Sequence, residues 1–180
     1  MIPRSLDHLL SRQRTLLLQG PMGDFFTRLA EVLRAGGQQV WKVNFCGGDD
    51  LYYPAADALA FRERPAFFAE WLIAHLDTHR IDTLVLFGQS RPLHAIALDI
   101  ARHRGLAVFV FEEGYLRPDY VTLEAGGVNA ASTLPRDDAF YRARLPEELP
   151  APRPTHQQLD RKSTRLNSSH SQQSRMPSSA

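Results

Sequence analysis

The chain has almost no cysteine. Cys46 is the single one among 180 residues, which excludes an internal disulfide and a cysteine metal cluster and fits a reducing compartment. No motif around it marks a nucleophile. Long hydrophobic runs are missing too, for nothing approaches the roughly 20 apolar residues that cross a bilayer. The stretch from Met1 to Arg14 mixes Arg, Asp, His and Leu without an uninterrupted apolar core, so it does not read as a secretory signal. These absences predict a cytoplasmic protein. Neither G-x-G-x-x-G nor G-x-x-x-x-G-K-[ST] occurs, which argues against a bound dinucleotide or a P-loop triphosphate. No internal repeat or heptad pattern is present.

A dominant charge is also lacking, with 21 basic residues against 20 acidic ones. The C-terminal stretch tips even that balance. From Asp160 onward the chain has no apolar periodicity and a composition expected to be disordered. Asp160 to His170 also reads as the translation, in one frame, of a common sequencing-adapter oligonucleotide. Residues 160–180 are therefore expected to be an assembly artefact, outside fold reasoning. Setting aside Arg161, Lys162, Arg165, Arg175 and Asp160 leaves 17 basic against 19 acidic residues, and the charge gives no argument for a nucleic-acid partner. The natural protein is then expected to continue beyond the neighbourhood of Leu159, which would make this chain an N-terminal fragment.

What is present is ordinary globular composition, 43% hydrophobic and 23% charged, enough for one core. Between Arg14 and Phe111 the pattern alternates strand and helix. Thr15 to Gln19 is a short apolar run ended by Gly20-Pro21. Asp24 then stands as an N-cap before Phe25, Phe26, Leu29, Ala30 and Leu33, which are spaced for one helical face. Gly36-Gly37 ends that helix, Gln39 to Phe45 reads as a second strand, and Gly47-Gly48-Asp49-Asp50 as a loop. Pro65 suits the first turn of a helix whose buried face is Phe67, Phe68, Trp71, Leu72 and Leu76. Leu84 to Phe87 is the third strand. A helix follows over Pro92 to Arg104 with a stripe of Ile96, Ala97, Ile100 and Ala101, capped by Gly105, and Leu106 to Phe111 is the fourth strand. Near-continuous apolar strands separated by amphipathic helices imply a parallel sheet covered on both faces, a Rossmann-like α/β domain. It is expected over residues 1–145, with a short hairpin or loop near Val121 to Asn129 and a short helix over Asp137 to Arg144. Pro146, Pro150, Pro152 and Pro154 mark a linker over 146–159.

In such a sheet, ligands bind where the parallel strands end. Each end here carries glycine and polar groups: Gln19 to Gly23, Asn44 to Asp49, Gly88 to Pro92, and Glu112 to Arg117. Glycines let backbone N–H groups approach a ligand closely. Glu112 and Glu113 follow a buried strand, and successive strand residues face opposite sides, so only one of them can look into a cleft there. A carboxylate beside an arginine suits stabilisation of an oxocarbenium-like centre, covalent capture of a sugar, or proton abstraction from an acceptor hydroxyl. A Glu–Arg pair pinning the loop is the alternative. Arg91 and Arg117 suit a carboxylate or phosphate, which a guanidinium can bind bidentately. His75 and His79 stand at a chelating spacing, but no Glu follows His75 and Leu76 belongs to the buried face. Asp49-Asp50 reads as a turn and His94 as a surface histidine at a helix start. No metal site is expected.

The motifs Leu18 to Gly23, Val43-Asn44-Phe45 with Gly47-Gly48-Asp49, Leu86-Phe87-Gly88 with Arg91-Pro92, and above all Phe111 to Glu124 resemble the capsule polysaccharide biosynthesis/export family of Gram-negative bacteria, of the KpsS/LipB type. The match runs in order from about Thr15 to Arg142. The resemblance implies a β-Kdo glycosyltransferase that uses CMP-Kdo to start a poly-Kdo linker on lysophosphatidylglycerol, peripheral on the cytoplasmic face of the inner membrane. Its fold would be GT-B-like, with two Rossmann-like domains, of which this chain carries the N-terminal one. It would need no metal and no cofactor beyond the donor substrate, and other capsule synthesis and export proteins would be its partners. By the same resemblance Glu113 is the expected nucleophile or catalytic carboxylate. Glu112 and Arg117 would support it, Arg117 by meeting the Kdo carboxylate. Gln19, Gly20, Asn44, Arg91 and Asn129 would line the cleft. Gln89-Ser90 departs from the acidic or cysteine residues expected before Arg-Pro. With the CMP-binding half expected mainly in a second domain, the fragment alone is expected to be inactive. A transferase for another sugar nucleotide, or a non-catalytic glycolipid-binding assembly factor, are the rival readings.

Overall fold

The computed structural model describes residues 5–114 and 120–143. Arg117, the linker over 146–159 and the tail over 160–180 lie outside them. The chain divides into two units. The larger holds the sheet, on residues up to Glu113 and on Val121–Arg136. The smaller begins at Gly114, includes Tyr120, and resumes at Asp137 with a short helix, Asp138–Arg142.

Six strands make one sheet. They are β1 (Arg14–Leu17), β2 (Gln39–Asn44), β3 (Ala58–Ala60), β4 (Thr83–Phe87), β5 (Ala107–Glu113) and β6 (Val121–Ala125), in the order β3-β2-β1-β4-β5-β6. The first five run parallel and β6 is antiparallel to β5. This is the Rossmann-like α/β architecture that the apolar strands and amphipathic helices predict. Helices α1 (Ser5–Leu10) and α2 (Phe25–Ala35) precede β2; α3 (Gly47–Tyr52), α4 (Phe68–Thr78) and α5 (Pro92–Arg104) follow.

Burial on both faces follows from alternation along each strand. Leu16, Leu84, Leu86 and Val110 pack with Leu72 and Leu76 of α4 and with Ala97 and Ala101 of α5. Leu17, Val85, Phe87, Phe109 and Phe111 pack on the other side with Leu9 of α1 and with Phe26, Ala30 and Leu33 of α2. The α2 residues recur at helical spacing, which gives that helix one apolar stripe.

Four local expectations change. Asp24 makes no side-chain cap; its carboxylate pairs with Arg28 one turn on, at 2.8 Å. The stretch Gly47-Gly48-Asp49-Asp50 opens a helix rather than a loop. Ala58–Ala60 adds an edge strand beside β2. Val121–Ala125 is a full strand, paired with Phe109–Glu113.

On the α4 side, His75 and His79 belong to a run of stacked rings. Trp71 lies 3.9 Å from His75 and Trp41 lies 4.8 Å from His79, centroid to centroid. Among the described residues there is no group of three or more His, Cys, Asp or Glu that could hold a metal ion. No helix there is long and apolar enough to cross a membrane.

The winding fixes where a ligand can enter. From β1 the sheet grows to β2 and β3 on one side and to β4, β5 and β6 on the other. The chain leaving β1 turns to the α2 face, and the chain leaving β4 turns to the α5 face. Loops that part in this way leave a crevice at the carboxyl ends of the strands.

Candidate functional site: a cleft at the carboxyl ends of β1 and β2

A cleft of about 500 Å³ opens at that edge. The turn Gln19–Gly23 and the first turn of α2, with Phe26 and Thr27, form one wall. Cys46, Gly48, Asp49 and Tyr52, at and within α3, form the other; Lys42 and Tyr53 sit deep between them, and Arg91 reaches in from the start of α5. Its polar groups are few among apolar surfaces such as Met22, Phe26 and Tyr52, the usual make-up of a small-molecule site.

Arg91 ties the two sides of the switch point together. Its Nη1 donates to the carbonyl of Phe87 at 2.8 Å and to that of Gln19 at 3.5 Å, at the ends of β4 and β1. Gly20 has a steric reason to be glycine. A Cβ there would lie 2.8 Å from Cδ2 of Phe26, whose ring is buried beneath the turn.

Lys42 is a lysine inside the protein. Its side chain is only 4% exposed, and Nζ donates to the carbonyl of Val43 (3.2 Å), to Oδ1 of Asn44 (2.7 Å) and to Oδ1 of Asp49 (3.0 Å). Burial pushes its pKa down, and the Asp49 carboxylate pushes back. The other oxygen of Asp49 accepts the Phe45 N–H at 2.9 Å. Asp50 is held below the usual carboxylate range by Arg62 and then by Asn44. Burial drives the Tyr53 hydroxyl up to about 12, where it takes a hydrogen bond from Arg34.

The residues expected in the site divide into groups. Gln19, Gly20 and Arg91 line the cleft. Asn44 lies beneath it, buried, with its amide donating to Asp50 (3.0 Å) and to the carbonyl of Tyr53 (3.1 Å). Glu112 and Glu113 are the last residues of β5, opposite Thr122 and Val121 of β6, and neither is among the residues that line the cleft. Strand alternation sets them on opposite faces. Glu112 is on the side of Val110 and comes within about 4.0 Å of where a Cβ would stand on Gly88; its Oε1 accepts the Glu113 N–H at 3.1 Å. Glu113 is exposed, on the side of Phe109 and Phe111. Asn129 is exposed too, with a positive φ of 54°, at the start of the 3-10 turn Asn129–Ala131. Gln89 holds that loop to the end of β4: its Nε2 donates to the Val128 carbonyl at 2.8 Å and its Oε1 accepts the Val128 N–H at 3.2 Å.

His94 is not at the surface. It is 1% exposed, and Nδ1 bonds the carbonyl of Gly88 at 2.7 Å. A carbonyl can only accept, so Nδ1 carries the proton and Nε2 is the bare nitrogen. Nε2 is buried and has no hydrogen-bond partner among the described residues. Burial pushes the pKa down to about 4.

Sequence reasoning placed Asn44 to Asp49 at the site, and Cys46, Gly48 and Asp49 line the cleft; it missed Lys42, Tyr52, Tyr53 and the helical form of α3. The one available signal for Lys42 was alternation, which sets it on the same side of β2 as buried Val40.

Fold and cleft together define a Rossmann-like α/β protein with a cleft at the carboxyl ends of β1 and β2, beside the switch point between β1 and β4. The sequence profile of the family described as "Capsule polysaccharide biosynthesis protein" matches residues 82–174. The chain is 44% identical over 163 residues to the capsule polysaccharide modification protein LipB of Neisseria meningitidis, covering 87% of this chain and 39% of that protein. It is 47% identical over 151 residues to the capsule polysaccharide export protein KpsS of Escherichia coli, covering 82% of this chain and 38% of the relative. The chain belongs to the capsule polysaccharide biosynthesis protein family. It spans about two fifths of the length of these relatives.

Proposed function

We propose that this chain is the N-terminal half of a GT-B-like glycosyltransferase that moves Kdo from CMP-Kdo to lysophosphatidylglycerol, starting the poly-Kdo linker of a capsule. The observation that carries the reading is the cleft at the carboxyl ends of β1 and β2, with Gln19, Gly20 and Arg91 on its walls, in a chain of the capsule biosynthesis family. A second Rossmann-like domain would hold most of the CMP, at the inner face of the inner membrane and beside other capsule proteins.

In this mechanism the bond between the ketosidic carbon of Kdo and the CMP phosphate breaks, and CMP leaves with the electron pair. The Glu113 carboxylate stabilises or captures the positive centre. An acceptor hydroxyl then attacks that carbon, any bond to Glu113 breaks with its electron pair returning to the carboxylate, and the hydroxyl proton passes to the phosphate of the released CMP, giving net retention of the β configuration. Glu112 holds the Glu113 backbone amide, Arg117 meets the sugar's own carboxylate, Asn44 braces the floor of the cleft through Asp50 and the Tyr53 carbonyl, and Asn129 is a substrate contact. No metal takes part. The test is CMP-Kdo transfer by a chain extended to the relatives' full length. Glu113→Gln is expected to lower it by about 100-fold or more, and undiminished transfer would remove Glu113 from the mechanism. A donor screen distinguishes transferases for other sugar nucleotides.

One observation favours a second reading. The two glutamates stand outside the lining of a cleft whose walls are largely apolar, as would suit a non-catalytic factor that carries glycolipid during assembly or export. That reading gains if the extended protein binds capsule precursors and releases no CMP from any donor.

A further inference from the structure

Helix α3 is the part of the cleft wall that apolar burial does not hold. None of its six residues is buried, two of them are glycine, and Leu51 is 73% exposed. Polar ties hold it instead, and they come from three directions. On the inner side Asp49 accepts from Lys42 and from the Phe45 N–H. On the outer side Asp50 accepts from Asn44 and pairs with Arg62. From α2 the Thr27 hydroxyl donates to the Tyr52 carbonyl. A segment with few buried apolar contacts opens at a small fraction of the global unfolding free energy.

We propose that α3 is a flap on the cleft, latched by Lys42–Asp49 within and by Arg62–Asp50 without, and that Lys42 is the positioning residue that sets this wall. An ammonium has three hydrogens to donate, and Lys42 spends them on Val43, Asn44 and Asp49. It therefore holds the wall rather than a ligand. The same accounting explains Asn44, whose amide joins Lys42 to Asp50 and so couples the inner latch to the outer one. The latch does not depend on which ligand the cleft takes.

Amide exchange on the full chain tests it. The reporters are the Asp50 and Tyr53 amides, which donate to the carbonyls of Cys46 and Asp49 at 3.2 and 2.8 Å. The reference is the Leu18 amide, bonded to Val85 at 2.9 Å in the sheet. Arg62→Gln removes the exposed pair with Asp50 and the guanidinium's bonds to the Asn44 and Phe61 carbonyls, and α3 exchange is expected to rise about twofold to fivefold. Lys42→Met leaves a nearly buried carboxylate unpaired, and a rise of more than about tenfold is expected. Leu18 should keep its rate in both. Arg62→Lys, which keeps the charge but not the guanidinium's bonds to the Asn44 and Phe61 carbonyls, should fall between the wild type and Arg62→Gln. About 1 M salt should raise α3 exchange in the wild type more than in Arg62→Gln, because screening acts on the exposed charge pair that the variant has lost. Unchanged α3 exchange in Arg62→Gln, or exchange that rises in step with Leu18, overturns the proposal. Should Lys42→Met not fold, the Arg62 variants and the salt response decide alone.

Discussion

At the scale of single residues, His94 gives the sharpest expectation. Its ordinary pKa of 6.5 falls to about 4 in the folded chain because the imidazole is buried. Between those values the unfolded chain binds a proton that the native chain does not, so stability rises with pH across this window. The contribution is fully present above about 6.5 and is lost as pH falls through about 4; the gap is worth about 3 kcal/mol. Urea midpoints at pH 4.5 and pH 7 check it. His94→Gln, which can still donate to the Gly88 carbonyl, should show a smaller difference between the two pH values than the wild type. The histidine was visible in the sequence at a helix start, but its depth was not. Pro92, Leu93 and His94 look alike in periodicity whichever way the first turn rolls, and only the packing of α5 decides that His94 points inward. Lys42 was hidden for a related reason. A lysine in a short strand reads as solvent-facing, and the acceptors that keep it inside come from residues that fold around it.

At the scale of elements, one side chain ties the loop after β6 to the end of β4. Gln89→Ala removes both bonds to buried Val128. The expected loss is about 1–3 kcal/mol, with faster exchange confined to residues 126–131, which exchange mass spectrometry resolves. This role accounts for the glutamine where an acidic residue or a cysteine was expected before Arg-Pro, since an amide can pair with a backbone N–H and a carbonyl at once and a carboxylate cannot. The long elements were legible because each carries a full period of apolar residues: α2 through Phe26, Ala30 and Leu33, α5 from Pro92 to Gly105, and β1, β2, β4 and β5 through their apolar runs. The short ones were not. Ala58-Leu59-Ala60 is too brief to show alternation, and its register comes from β2. Two glycines and two aspartates at the start of α3 spell a turn until Lys42, Asn44 and Arg62 supply the partners that make a helix there. Of the expected site, the glycine-bearing ends of β1 and β4 were read correctly as neighbours, because parallel strands must finish on one edge. The acidic end of β5 lies two strands from β1, with β4 between them, and no spacing in the sequence reveals that separation.

At the scale of the whole molecule, the sheet with its cleft matches two fifths of the relatives' length. If the extended protein transfers Kdo without metal, a saturating chelator should leave its rate unchanged within error, measured as CMP released with and without EDTA; a loss restored by a divalent cation would remove metal independence. The chain's two tryptophans also bear on how any binding experiment is read. Trp71 and Trp41 each lie against an imidazole, and neither borders the cleft. Intrinsic fluorescence will therefore respond to acid as His79 takes up a proton, at a pH below the ordinary histidine range because burial, His75 and Arg14 all depress that group. A titration followed by emission would register the buffer more readily than a cleft ligand, and an extrinsic dye on Cys46, at the cleft's own rim, is the better-placed lamp.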